Sequence, residues 1–155
     1  MNESRSPSRT GRVHKEVSGV WQLKSRIDTD SSGHRQIDPI LGADPLGILC
    51  FSSDHFAAQF MKRDRSGASG ASQSVQGSNN SSAVNGYDAY FGTYTVDESS
   101  GTLRIRLDGA ITPSNIGGQF ERHIEVRGDE LSIQLATTSA DGKPITRTLT
   151  FSRLP

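Results

Sequence analysis

At 155 residues the chain has room for one domain and little more. Its 17 basic and 17 acidic residues cancel, so charge gives no reason to expect nucleic acid or an anionic membrane surface as a partner. Cys50 is the only cysteine, which excludes an internal disulfide and fits a reducing, cytoplasmic setting.

Residues 1–16, MNESRSPSRTGRVHKE, contain no apolar run of the kind a secretory signal or a membrane span needs. Their Ser, Arg and Pro content reads as a disordered tail, and Glu3 and Glu16 weigh against a targeting peptide. The first strand is expected at about 19–27, where Trp21, Leu23 and Ile27 alternate with Gln22, Lys24 and Arg26. A long link over 28–45 follows, carrying His34. Two runs, 47–52 and 56–62, are apolar on both faces and give strands at about 46–52 and 55–62, separated only by Ser53 and Asp54. The link 63–90 is rich in Gly, Ser and Asn over about 64–86, which reads as a flexible loop, either a lid or a spacer. A helix of a turn or two fits within 83–90.

The second half alternates more cleanly. A strand at 91–97 is followed by 102–108, where Leu103, Ile105 and Leu107 alternate with Arg104, Arg106 and Asp108. In 119–126, Phe120, Ile124 and Val126 oppose Glu121, His123 and Glu125. In 130–137, Leu131, Ile133 and Leu135 form the apolar side. In 144–152, Ile145, Leu149 and Phe151 oppose Thr146, Thr148 and Thr150. Each of these strands has one greasy face and one wet face, as antiparallel strands do. The expected fold class is all-β, a single eight-stranded up-and-down antiparallel barrel, because closure removes the edges of such a sheet. Short links (53–54, 98–101, 127–129) alternate with long ones (28–45, 63–90, 109–118, 138–143). One end is therefore tightly laced and the other fringed by loops, where binding usually happens.

Several segments carry a family resemblance. They are Gly19, Val20, Trp21; Asp44, Pro45, Leu46, Gly47; His55, Phe56, Ala57, Ala58, Gln59 with Met61, Lys62, Arg63; and Ala89, Tyr90, Phe91, Gly92, Thr93, Tyr94, Thr95, Val96, Asp97 with Gly101, Thr102. Taken in order, over about 17–153, they resemble the lipocalin-like domain family of bacterial and fungal proteins. The resemblance implies a domain over 17–155 with a calycin-type barrel and a central cavity. It does not imply one activity: some such barrels bind ligands, and others resemble cyclases or isomerases of natural-product pathways. Where relatives carry a histidine on the fifth strand, this chain has Ile105 and Arg106, which puts any chemistry of that histidine in doubt here.

Two arginines break the apolar parity of their strands. Arg122 lies between Phe120 and Ile124, and Arg147 between Ile145 and Leu149, so both are expected inside, towards the looped mouth. They are the candidate catalytic and ligand-binding residues, as fixed donors to a carboxylate, phosphate, enolate or carbonyl. The alternatives are a wetted rim or an ion pair with Asp38, Asp44 or Asp108. Phe120, Gln59, Tyr90, Tyr94 and His34 complete the candidate ligand-binding set. Gln59, Tyr90 and Tyr94 are equally readable as satisfied barrel residues, and His34 as a plain loop residue. Phe51, Phe60 and Phe91 are expected to wall the cavity, and Cys50 to sit in the core. Arg153 is expected to stack on Trp21 at the laced end, an arrangement common in barrels of this kind. His14 falls in the tail, His55 at the laced end, and His123 outside. No spacing implies a metal site, and no cofactor is expected.

The functional expectation is a protein that binds a small, partly apolar organic molecule, as monomer or homodimer. The alternative is a cofactor-free cyclase, isomerase or dehydratase acting on a polyketide- or terpenoid-like intermediate. A third possibility is a barrel filled by its own side chains.

Overall fold

A computed structural model describes residues 11–66, 84–139 and 141–155. A short helix, α1 (Arg12–Val17), leads into β1 (Gly19–Asp30), and a two-residue strand β2 (Arg35–Gln36) pairs with the far tip of β1. The other strands are β3 (Leu46–Ser52), β4 (His55–Met61), β5 (Tyr87–Asp97), β6 (Thr102–Ala110), β7 (Gln119–Arg127), β8 (Glu130–Thr138) and β9 (Pro144–Arg153). From β3 onward each strand pairs antiparallel with the next. Strand β1 pairs with both β3 and β9, which closes an eight-stranded barrel with β2 outside it. The alternating short and long links fall at opposite ends, as the sequence predicts. No helix among the described residues is long and apolar enough to cross a membrane.

Two segments differ from their sequence reading. Residues 87–90 are the start of β5 and not a helix, because Asp88 pairs with Phe60 and Tyr90 with Ala58. These pairings satisfy the backbone along β4 and continue the alternation of Tyr94 and Val96 back to Asp88. Residues 12–16, read as tail, form most of α1. Glu98, in the β5–β6 turn, accepts the backbone N–H groups of Gly11, Val13 and His14 at 2.8–3.1 Å, satisfying donors that a helix start leaves open. Residues 1–10, and 67–83 of the Gly/Ser-rich loop, lie outside the described residues.

Helix α1 closes the laced end. Val17 is fully buried and its carbonyl accepts the Trp21 indole N–H at 2.8 Å. Arg153 lies 4.2 Å from the Trp21 ring centre and donates to the carbonyls of Ser18 and Glu16. The arginine ties the last strand to the residues entering the first, which is the structural role expected for it.

Irregularities in two strand pairs decide what faces inward. Strand β1 bulges between Leu23 and Ser25 against β9, so the inward set runs Trp21, Leu23, Arg26, Asp28. Ile27, read as inward, is therefore on the outside. The β5–β6 register shifts between Phe91 and Gly92. There the β6 backbone comes so close that a Cβ on Gly92 would lie 1.8 Å from the Arg106 carbonyl oxygen. Only glycine fits. Gly92→Ala is expected to cost about 3 kcal/mol or more, read as a lower midpoint in urea denaturation.

Candidate functional site

The barrel interior divides into a packed floor and a small chamber nearer the looped end. Tyr94 is buried in the floor, its ring 4.9 Å from Phe51 and stacked at 5.1 Å on His14 of α1. Above it, Leu49, Phe51, Phe56, Phe60, Ile133 and Leu149 form an apolar wall. Into the same space point Arg26, Asp88, Tyr90, Arg122 and Arg147. The room left is about 50 Å³ for the centre of a water-sized sphere. One water needs roughly 10–15 Å³ on that measure, so the chamber holds a few waters or a few ligand atoms. Leu41, from the β1–β3 loop, forms part of its lining and is only 2% exposed.

The buried charges are arranged in pairs. Arg147 donates Nε and Nη2 to the two oxygens of Asp28 at 2.7 and 2.8 Å, the forked geometry that suits guanidinium and carboxylate. Arg26 donates Nη2 to Asp38 at 2.9 Å, and Asp38 also lies 3.6 Å from Arg147. Burial pushes the Asp38 carboxyl up, but Arg26, the Ile40 N–H and Arg147 outweigh it and hold the group below the ordinary range. Burial, reinforced by Arg147, lowers Arg26.

The remaining groups are Arg122, Tyr90 and Asp88. Arg122 hydrogen-bonds the Tyr90 hydroxyl and donates Nη1 to the Glu121 carbonyl at 3.0 Å. Burial lowers Arg122 and raises Tyr90. Asp88 is 6% exposed and, unlike Asp28 and Asp38, makes no direct ion pair among the described residues. Burial pushes its carboxyl up to about 7, only partly offset by Arg26, the Ala89 N–H, Arg147 and Arg122. The chamber thus combines an apolar wall, a donor-rich arginine–tyrosine pair and a carboxyl that changes charge near neutral pH.

Over residues 18–154 the sequence matches the lipocalin-like domain family. The chain belongs to that family. Comparison with curated proteins gives no significant match. A lipocalin-like barrel is an architecture for holding small molecules, which agrees with a chamber inside the strands.

Of the residues singled out in the sequence, this lipocalin-like barrel brings Arg122, Arg147, Tyr90, Phe51 and Phe60 to the chamber. Phe120 is half-buried with the Arg122 guanidinium 6.0 Å from its ring, and does not line the space. Gln59 faces outward, because Phe56, Ala58 and Phe60 take the inner face of β4. Its side-chain oxygen accepts the Tyr87 hydroxyl on the outer surface. Tyr94 is in the floor. His34 is in an exposed turn, 3.8 Å from Asp30. Phe91 points out and lies across Gly109, where a Cβ would meet its ring at 2.4 Å. Cys50 is on the outer face of β3, between the buried Leu49 and Phe51. Asp44 pairs with Arg63 at the surface, so of the proposed ion-pair partners only Asp38 comes near Arg147.

Sequence reasoning missed Arg26, Asp28 and Asp88, and named Asp38 only as a possible ion-pair partner. The β1 bulge hides the first two, since uninterrupted alternation puts them outside. Asp38 is brought in by a returning loop. Asp88 shares its parity with positions 90, 92, 94 and 96, but that strand is apolar on both faces, so only its pairing with β4 shows that this parity faces inward.

Proposed function

We propose that the chamber binds a small, partly apolar organic molecule, held by the aliphatic and aromatic wall and oriented by Arg122, Tyr90 and Asp88. The observation that carries this reading is a set of polar groups aimed into an otherwise apolar space inside the strands, the pattern by which a pocket orients a small molecule. A ligand with a carbonyl or carboxylate would accept from Arg122 and Tyr90, and one with a hydroxyl would donate to Asp88. Calorimetric titration with a panel of small alicyclic and aromatic ketones and acids tests this. Arg122→Met is expected to weaken binding of the carbonyl-bearing members about 10- to 100-fold, the effect of losing a charged hydrogen bond. Equal affinity in both proteins would remove Arg122 from the site.

A second reading is favoured by Asp88. A carboxyl poised near neutrality can give a proton to a carbonyl oxygen and accept one from an adjacent carbon, while Arg122 stabilises the charge that develops. Together they suit a cofactor-free isomerisation, cyclisation or dehydration of a polyketide- or terpenoid-like intermediate. Asp88→Asn separates the readings. Turnover lost with binding kept supports catalysis, and binding without turnover in either protein supports a carrier.

A further inference from the structure

The β1–β3 loop returns over the open end and places its own carboxylate among the chamber's guanidiniums. Asp38 accepts from Arg26 at 2.9 Å and lies 3.6 Å from Arg147. Its other oxygen accepts the backbone N–H groups of Ile40 at 2.7 Å and Leu41 at 3.3 Å, and the Gly42 N–H closes the turn onto the Asp38 carbonyl at 2.8 Å. That turn drives Leu41 into the chamber at 2% exposure and seats Ile40 against the core. Neighbouring Ile37, by contrast, is 63% exposed. The segment therefore presents an acidic head to two arginines and an aliphatic body to the apolar wall.

The segment is a loop and not one of the barrel strands, so its contacts with the chamber can open without breaking the strand pairing of the wall. Asp38 is the one ion-pair partner of Arg26 among the described residues, while Arg147 keeps its forked contact to Asp28 whether or not Asp38 is present. If the loop lifts, Arg26 is left buried near Arg147 and Asp28 without the carboxylate that it touches, a situation that favours an incoming anion. The departure of Leu41 also frees volume next to that charge.

We propose that residues 38–41 are a built-in occupant of the chamber, displaced by an apolar monocarboxylic acid. The acid's carboxylate replaces Asp38 at Arg26, and its hydrocarbon body replaces Leu41. This rests on the chamber-binding reading and narrows its ligand class to amphiphilic anions.

Octanoate and octan-1-ol are the probes, titrated into the parent chain, Asp38→Asn and Arg26→Met. The ratio of octanoate to octanol affinity is expected to rise at least tenfold in Asp38→Asn and to fall at least tenfold in Arg26→Met. In the parent chain, saturation with octanoate is expected to move the Leu41 methyl resonances from ring-shifted to solvent-exposed positions, a readout that needs no variant to fold. Octanoate binding with the Leu41 methyls unmoved, or with an unchanged acid-to-alcohol ratio in Asp38→Asn, overturns the displacement proposal and leaves chamber binding intact. If neither probe binds any of the three proteins, the displacement proposal is overturned together with the binding of such molecules in the chamber.

Discussion

Asp28→Asn is expected to lower the unfolding free energy by about 3–5 kcal/mol, the usual cost of breaking one side of a buried ion pair. Asp28 is 4% exposed and receives two short hydrogen bonds from Arg147, which is 5% exposed. The substitution removes the charged side of the forked contact, and Asp38, 3.6 Å from Arg147, replaces only part of it for a buried guanidinium. The contact also joins β1 to β9, where Asp28 and Arg147 are register partners, so it sits on the seam that closes the barrel. Replacing both partners, as Asp28→Leu with Arg147→Met, is expected to recover most of the loss, because no charge is then stranded. The exposed Arg63–Asp44 contact provides the contrast: Asp44→Asn is expected to change stability by less than about 1 kcal/mol. Urea denaturation of the four proteins checks the series.

The second large effect depends on pH. Asp88 ionises at about 7 in the folded protein, well above an ordinary carboxyl. Between pH 4 and 7 the folded state therefore holds a proton that the unfolded chain has released. Stability falls as pH rises through that window, and the cost is complete above it. Asp88→Asn has no proton to lose. The variant is expected to gain little over the parent chain at pH 4 and on the order of 2–4 kcal/mol at pH 8, following roughly 1.4 kcal/mol for each pKa unit. Parallel denaturation curves at pH 4.5 and 8 measure this. A variant that gains equally at both values means that Asp88 is already ionised at the lower pH, and the neutral carboxyl drops out of the site. The same titration acts on ligands: a protonated Asp88 repels an anion less, so carboxylate affinity should rise as pH falls through 7.

Five of the eight barrel strands, β1 and β6 to β9, follow from period-two alternation, because one buried face imposes that period on them, whereas β3, β4 and β5 are legible only as apolar runs between turn residues. Arg122 and Arg147 were found the same way, as polar residues in apolar register. What alternation cannot reveal is a local change of phase. One extra residue at the β1 bulge turns Arg26 and Asp28 from outside to inside, and nothing in the run from Trp21 to Asp30 marks where the phase slips. A loop is harder still: Asp38 reaches the chamber because of a turn whose hydrogen bonds depend on Asp38 itself. Gln59 and Tyr94 illustrate the opposite failure. Their strands are apolar on both faces, so composition gives no vote, and only the pairing of β4 and β5 decides that one faces solvent and the other the floor.

The lone tryptophan has a practical consequence for studying the molecule. Trp21 is fully buried beneath the Arg153 guanidinium and beside α1, at the opposite end from Leu41 and outside the chamber lining. Its emission is therefore a sensor of whether the stopper is seated and is insulated from occupancy above. A compound that quenches or red-shifts that signal has loosened the base of the barrel, and a compound that fills the chamber should leave the indole dark to its presence.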